Sequence, residues 1–248
     1  MTVDIIGGGK REDTCRDLLL GSELSSGVEH AVILPIPSSR NGKTVTGTDE
    51  PLDAMIENLK PKTLVVGYAL PETVIRRLEE RGAVVVDVSE DEEFAEENAK
   101  LTAECTLSHI MTHSERSLSD LRIGIVGYGR IGRELSRMLL FLGSHVSVFT
   151  RKESTRLELI FSGVDAVLVG EADLFSLDLL VNTAPASVFT RSQYENAGCE
   201  VLELASGNNL PYAKNLTRLP SLPAKMLPQS SGRLYAEAIF RALGKRRM

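Results

Sequence analysis

The sequence predicts an α/β protein with two doubly wound parallel-sheet domains, a long linker helix between them, and a C-terminal helix that packs back toward the N-terminal domain. Three observations lead to this prediction. Short apolar runs alternate with helical patterns, as they do in parallel β-α-β units. A glycine-rich turn at Gly127 opens a second series of this kind. A long helical pattern lies between the two series and is preceded by an acidic stretch.

The first series fills the N-terminal part of the chain. Pro35 and Pro37 close its second strand, because proline has no N–H to donate to a sheet. The acidic stretch that follows the series is expected to be a solvated turn and helix start, where carboxylates favour the helix dipole. The predicted strands are residues 3–6, 30–36, 63–66 and 83–88, the helices are 11–20, 53–59 and 72–81, and the linker helix covers 100–114.

The composition is that of an ordinary globular protein. The chain has 248 residues, of which 42% are hydrophobic and 25% charged, and its net charge is −6. No basic face dominates, which argues against a nucleic-acid partner. No apolar run has the length of a membrane span and no signal-peptide pattern is present, so we expect a cytoplasmic protein without a membrane partner. Three scattered cysteines suggest neither disulfides nor a zinc site, and no metal is predicted.

The segment 121–135, LRIGIVGYGRIGREL, is an apolar strand that runs through three glycines into a helical pattern. In this setting Gly127 allows a tight turn, Gly129 allows close approach of a pyrophosphate, and Gly132 allows helix and strand to pack closely. The backbone N–H groups of Arg130 and Ile131 at the helix start would hold the phosphates. We interpret the segment as a Rossmann-type dinucleotide site; the alternative is a purely structural glycine turn.

The end of the next strand indicates which dinucleotide is bound. NAD-binding domains place a carboxylate there for the ribose hydroxyls. This chain has Thr150, Arg151 and Lys152 instead. Arginine offers a 2′-phosphate a forked, charge-assisted contact, which favours NADP(H) over NAD(H). Glu153 follows closely, and a solvated basic loop is the alternative interpretation.

The domain plan follows from these elements. The later strands are predicted at 145–149, 166–169, 179–182 and 201–204, and a closing helix at 232–243. We expect a flavodoxin-like substrate domain over 1–98, the linker helix over 99–117, an NADP-binding domain over 118–228 and a C-terminal helix over 229–248. A cleft should separate the two domains, with ligands beyond the carboxyl ends of the strands.

The residues that follow strands are therefore the expected lining of the site. In the first domain the run Gly7 to Gly9 and Arg11 follow the first strand and could bind a substrate carboxylate; a simple turn with surface cations is the alternative. In the second domain, residues after the fourth and fifth strands are expected to contact the nicotinamide end of the cofactor: Asn182, Thr183, Ala184, Pro185, Ala205 and Ser206.

The chain resembles the A-subunit family of dipicolinate synthase, a bacterial sporulation oxidoreductase, nearly from end to end. The motifs that carry the resemblance are IGGGKRED at the first loop, LPIP at 34–37 followed by Gly42, the Asn98, Thr102, Ala103, Glu104 start of the linker helix, GYGRIG at 127–132, Arg151, NTAPA at 182–186, LAS at 204–206, LPAK at 222–225, and Pro228 with Ser231 to Leu234.

The resemblance implies NADP-dependent oxidation of dihydrodipicolinate to dipicolinate, and it implies that the partner is a flavoprotein-like B subunit. A homodimer is expected by analogy with this architecture. The two substrate carboxylates need cationic or hydrogen-bonding partners, and Glu104 is the candidate proton acceptor or, alternatively, a helix-cap or hinge residue. The candidate substrate contacts are Arg11, Thr102, Lys225, Ser231 and Arg233.

Two other functions stay open. The Asn98 to Glu104 element also resembles D-2-hydroxyacid dehydrogenases, which suggests a reductase of that kind. Such enzymes usually carry a late catalytic histidine, and this chain has none after His145. A non-catalytic NADP-binding sensor or scaffold is the other alternative. It is suggested by the segment after Ser206, where Gly207, Asn208 and Asn209 stand in place of the longer Lys-Pro-Gly-Gly loop that is usual in the family. Two further departures from the family pattern are Ala224, where Gly is usual, and Gly9, where Asp is usual.

Overall fold

The computed structural model describes residues 2–21, 29–205 and 213–245. The chain divides into two compact units. Unit 1 comprises Met1–Asn98 together with Pro223–Met248, and unit 2 comprises Ala99–Leu222. No helix in the described ranges is long and apolar enough to cross a membrane.

Unit 1 is built on a parallel sheet of four strands in the order β1-β2-β3-β4. Successive residues of β2 and β3 are buried on both sides of the sheet, as expected for a sheet that has helices on both faces. The strands are β1 Thr2–Ile5, β2 His30–Ile33, β3 Leu64–Gly67 and β4 Val84–Asp87, and the helices of the N-terminal part are α1 Lys10–Leu20, α2 Leu52–Asn58 and α3 Glu72–Glu80.

The C-terminal helix belongs to unit 1. Helix α9, Pro228–Lys245, follows the short helix α8, Leu222–Met226, and packs against α1. The contact is close because a Cβ on Gly232 would lie 2.5 Å from the carbonyl oxygen of Arg11. The buried Tyr235 hydroxyl donates to the carbonyl of Leu34, 2.9 Å away. The predicted return of the C-terminal helix to the N-terminal domain is thus confirmed.

Unit 2 has a parallel sheet of six strands in the order β10-β9-β8-β5-β6-β7. The chain proceeds from β5 outward in one direction and then crosses back to β8, so the order reverses between β5 and β8. That reversal is where open α/β sheets bind ligands. The strands are β5 Arg122–Val126, β6 His145–Thr150, β7 Asp165–Leu168, β8 Leu179–Asn182, β9 Glu200–Glu203 and β10 Leu216–Arg218.

The helices of unit 2 connect these strands. Helix α4, Glu92–His113, leads from unit 1 into unit 2, and α5 Arg130–Phe141, α6 Glu153–Phe161 and α7 Arg191–Glu195 follow. Helix α4 begins eight residues before the predicted start at 100, because the Asp91 side chain accepts a hydrogen bond from the backbone N–H of Phe94 at 2.9 Å. The acidic stretch therefore lies mostly inside the helix. The α/β fold with two parallel sheets is as the sequence predicts.

Candidate functional site

The glycine turn after β5 has the geometry that its spacing predicts. Gly127 has a φ of +90°, a conformation that side chains rarely adopt. A Cβ on Gly132 would lie 2.4 Å from the carbonyl oxygen of Gly127, so only glycine lets α5 start this close to the turn. At Gly129, by contrast, an added Cβ would meet no atom within 4 Å. The space over Gly129 is therefore open.

The first turn of α5 is suited to binding an anion through its backbone N–H groups. Gly129 is the N-cap, no side chain caps the helix, and no acidic residue lies in its first turn. The N–H of Arg133 bonds to the carbonyl of Gly129 at 3.0 Å, so the N–H groups before it have no acceptor within the helix. Arg130 is exposed and Ile131 half-buried. The open cradle and the helix dipole fit a dinucleotide pyrophosphate.

The loop after β8 is fastened to this turn. The Thr183 hydroxyl donates to the carbonyl of Val126 at 2.9 Å, and the Thr183 backbone N–H donates to the same oxygen at 3.0 Å. Ala184 is half-buried and Pro185 exposed at the rim. The predicted residues after β8 thus meet the glycine turn at the switch point of the sheet, although the Thr183 hydroxyl is already bonded to the protein.

A buried carboxyl that the sequence analysis did not single out joins the loops after β8 and β9. Asn182 Nδ2 donates to Glu203 Oε1 at 3.0 Å and to the carbonyl of Ala184 at 3.0 Å. The backbone N–H of Ala205 donates to the same Glu203 oxygen at 2.9 Å. The sequence does carry a signal, since Glu203 stands between Leu202 and Leu204 in the run 201–204, which is otherwise apolar. Ser206, the last predicted cofactor residue, lies outside the described residues.

Two cationic residues, Arg151 and Lys152, follow the end of β6. Thr150 is buried, and its hydroxyl accepts from the backbone N–H of Lys152 at 3.2 Å. Arg151 and Lys152 are exposed, and Arg151 forms no ion pair with another described residue. Glu153 bonds instead to Arg156, whose Nε lies 2.7 Å from Glu153 Oε2, and this bond lowers the pKa of the Glu153 carboxyl. The carboxylate that follows Arg151 most closely in the sequence is therefore already paired with a cation.

The first loop of unit 1 is held by an internal ion pair. Gly7 and Gly8 have φ of +74° and +83°, and the backbone N–H of Gly9 donates to Glu12 Oε2 at 2.8 Å. Arg11 is buried, with Nε 2.7 Å from Glu12 Oε1 and Nη2 3.3 Å from the carbonyl of Ile36. The Arg11 guanidinium is thus bonded to the protein on two sides.

The other predicted substrate residues are divided between the two units. In unit 1, Lys225 and Arg233 are exposed, and Arg233 lies 4.0 Å from Glu237. Ser231 is buried in the first turn of α9. In unit 2, Thr102 is buried on α4 and Glu104 is exposed on the same helix. No group of three or more metal-ligating side chains suited to a metal ion occurs among the residues that the structure describes.

Part of the chain matches a known protein family. Residues 93–197 match the family described as D-isomer specific 2-hydroxyacid dehydrogenase, NAD binding domain. This match supports a nicotinamide cofactor and an oxidoreductase activity. It covers nearly all of α4, the glycine turn, the end of β6 and the loop after β8, whereas β9 lies beyond it.

Among curated proteins, the A subunit of dipicolinate synthase from Bacillus subtilis (strain 168) is 22% identical over 172 residues, which are 65% of this chain. The matched part spans 58% of that relative. Among solved structures, the same subunit from Bacillus halodurans has a TM-score of 0.76 at 20% identity, covering 98% of this chain and 97% of that one. The Bacillus subtilis protein has a TM-score of 0.74 at 16% identity, covering 99% and 96%.

The A subunit of dipicolinate synthase, which the sequence motifs resemble, is thus among the proteins that are similar to this chain. Residues 93–197 are similar to the NAD-binding domain of D-2-hydroxyacid dehydrogenases, and nearly the whole chain has the fold of the dipicolinate synthase A subunit.

Proposed function

We propose that this protein is an NADP(H)-dependent oxidoreductase that oxidises a small dicarboxylated ring of the dihydrodipicolinate type to the aromatic pyridine dicarboxylate. The choice of NADP(H) over NAD(H) rests on Arg151, which is exposed directly after β6. Glu153, two residues further on, is already paired with Arg156. A free guanidinium at this position attracts a 2′-phosphate, and a free carboxylate would repel it.

The chain's own groups bind and orient the cofactor. The N–H groups at the start of α5 face the open space over Gly129, where the pyrophosphate would lie. The loops that begin at Thr183 and Ala205 would border the nicotinamide end. When NADP+ is bound, it supplies the hydride acceptor for the ring oxidation.

For the substrate we propose contacts to Arg11, Thr102, Lys225, Ser231 and Arg233. Within unit 1 we put Lys225 and Arg233 first, because both are exposed and can pair with a carboxylate without losing a buried partner. Arg11 would have to exchange Glu12 for the substrate. Glu104 is exposed on α4 and is the proposed proton acceptor. Aromatisation makes the departing proton acidic, so a weak base is sufficient.

The similar proteins are the A component of dipicolinate synthase, and we propose that this chain pairs with a flavoprotein-like B subunit. We also propose a homodimer. Phe141 and Phe161 close α5 and α6, and each is 91% exposed. These helices connect neighbouring strands in the same direction, so both lie on one face of the sheet. Leu157 and Ile160 extend the apolar surface along α6, and a second copy of the chain would cover it.

A turnover assay tests the proposed reaction. Purified protein with NADP+ and freshly generated dihydrodipicolinate should form the pyridine dicarboxylate, with an equivalent amount of NADPH. A panel of 2-oxoacids with NADPH tests the reductase alternative, for which the match at 93–197 is the supporting observation. Turnover of a 2-oxoacid without turnover of the dihydropyridine would overturn the proposal. Tight NADP+ binding without any turnover would favour the sensor alternative.

For the dimer, light scattering of the purified protein is expected to give twice the chain mass. Phe161→Ser should shift the protein toward the monomer, because it removes a large exposed ring, while NADP+ binding stays unchanged. Phe175→Ser is a matched control, since Phe175 is 76% exposed but belongs to neither helix. A monomeric wild-type protein at micromolar concentration would contradict this part of the proposal.

A further inference from the structure

The carboxyl ends of β8 and β9 are joined by one buried pair of polar side chains, Asn182 and Glu203. Asn182 is fully buried and Glu203 is 3% exposed. Through Glu203 Oε1 and Asn182 Nδ2, the pair connects the carbonyl of Ala184 in one loop to the N–H of Ala205 in the next. These are the two loops that we propose at the nicotinamide end of the cofactor.

The pair also contains two unpaired oxygens. Glu203 Oε2 and Asn182 Oδ1 are both buried and have no hydrogen-bond partner among the described residues. Leaving a buried carboxylate oxygen without a donor is costly. A proton on Glu203 Oε2 turns one of the two acceptors into a donor.

The surroundings favour the protonated form. Burial raises the pKa of the Glu203 carboxyl, and the hydrogen bonds from Asn182 and Ala205 counteract it only in part. The charged group facing it from β10 is Arg218, an exposed residue in register with Glu203, which also lowers this pKa. The titratable group facing it from α7 is Tyr194, whose burial raises its pKa to about 12, so Tyr194 stays neutral.

We propose that Glu203 is a positioning residue of the cofactor site, acting as a neutral carboxylic acid that holds Ala184, in the loop after β8, at a fixed separation from Ala205, which follows β9. This inference rests on the proposed function, because it assigns Glu203 to the same nucleotide site. Glu203 does not contact the reacting atoms in this role. It acts through Asn182 and through the backbone at Ala205.

The test compares NADP+ affinity in wild type, Glu203→Gln and Glu203→Ala by calorimetric titration at a series of increasing pH values. Glutamine reproduces the neutral acid, so Glu203→Gln should bind within about twofold of wild type at the lowest pH of the series, and Glu203→Ala at least about tenfold more weakly. Wild-type affinity should fall as the pH rises through the raised pKa of Glu203. The Glu203→Gln protein should show no such fall.

Glu200→Gln is the matched control, because Glu200 begins the same strand and is exposed. It should keep both the affinity and the pH profile of wild type. Amide hydrogen exchange supplies a second measurement: the Ala205 N–H should lose protection in Glu203→Ala and keep it in Glu203→Gln. This measurement also separates a loosened loop from a failure to fold.

Some results would overturn the inference alone. Wild-type affinity in Glu203→Ala would remove the positioning role. Equally weak binding by Glu203→Gln and Glu203→Ala would show that the ionised carboxylate is the required form. A different result concerns the proposed function: if wild-type protein binds neither NADP+ nor NAD+, the nucleotide site itself fails, and the role of Glu203 in it fails too.

Discussion

Gly132 is in such close contact with Gly127 that a Cβ atom on Gly132 would lie 2.4 Å from the Gly127 carbonyl oxygen. The same added atom would lie 3.1 Å from the Thr183 hydroxyl. Helix α5, the turn after β5 and the loop after β8 thus meet at one point. The nucleotide cradle depends on the absence of a side chain there.

Gly132→Ala is expected to destabilise the fold. The methyl group collides with backbone atoms that cannot rotate away, and overpacking of this kind costs about 1–3 kcal/mol. Urea denaturation at neutral pH measures the loss in the free energy of unfolding. An unfolding free energy equal to that of wild type would show that α5 moves away from the turn freely, against the packing described here.

Gly129→Ala separates binding from stability. The φ of Gly129 is −80°, which alanine adopts readily, and an added Cβ would meet no atom within 4 Å. The unfolding free energy should therefore change by less than about 0.5 kcal/mol. Nucleotide affinity should fall at least about tenfold, because the methyl group occupies the open cradle. If Gly129→Ala binds NADP+ as wild type does, the phosphate position is not over this residue.

Arg11→Met should lower the stability of the protein, whereas Lys225→Met should raise the KM for the substrate. Removing the Arg11 guanidinium leaves Glu12 buried without its cation, and breaking such a pair costs about 3–5 kcal/mol. Lys225 is exposed, so its loss should leave stability unchanged and raise the KM for the substrate dicarboxylate. Thermal unfolding and steady-state kinetics measure the two effects. The double variant Arg11→Met, Glu12→Gln should regain part of the lost stability. A stable Arg11→Met protein with a raised substrate KM would favour Arg11 as the substrate ligand.

The hydrogen bonds of the Asp178 carboxylate should make the stability of unit 2 depend on pH. The backbone N–H of Arg122 donates to Asp178 Oδ2 at 2.8 Å, and Arg116 donates to Oδ1 at 2.7 Å. The backbone bond, followed by Arg116, lowers the pKa of Asp178. Its stabilising effect is therefore present above the unfolded-state pKa, about 3.9 for aspartate, and is lost as the pH falls through the lowered folded-state pKa.

At neutral pH, Asp178→Asn should lower the free energy of unfolding by about 1 kcal/mol. The difference from wild type should shrink as both proteins are measured in increasingly acidic solution. The exposed Asp120 provides the control, and Asp120→Asn should have no comparable effect. A deficit in Asp178→Asn that is constant with pH would mean that packing rather than charge is responsible.

The sequence predicts the arrangement of strands and helices because local patterns determine it. Glycine spacing, apolar runs and prolines act within a few residues, and the three glycines of the turn have the environments that their positions suggest. The short strand Leu216–Arg218 was not predicted, since only pairing with β9 defines it. Strand β2 ends at Ile33, before the predicted 36, because the strand pairing stops there.

Side-chain partners are less accessible from the sequence. The burial of Arg11 depends on Glu12 and on the carbonyl of Ile36, which is distant in the chain. Glu203 acts through Asn182, 21 residues away. The sequence alone places both residues after or within strands, yet it does not show which polar groups they meet. That information comes from tertiary packing.

The central claim is that this chain binds NADP(H) through Arg151. Parallel titrations of wild type and Arg151→Ala with NADP+ and NAD+ test it. Arg156→Ala is a second variant, which leaves Arg151 in place and removes the partner of Glu153. Wild type should bind NADP+ at least about tenfold more tightly than NAD+. Arg151→Ala should lose that preference, with its NAD+ affinity little changed. Arg156→Ala should bind NADP+ more weakly, because the unpaired Glu153 carboxylate repels the 2′-phosphate. Tighter binding of NAD+ than of NADP+ by wild type, or an equal loss of both nucleotides in Arg151→Ala, would contradict the account.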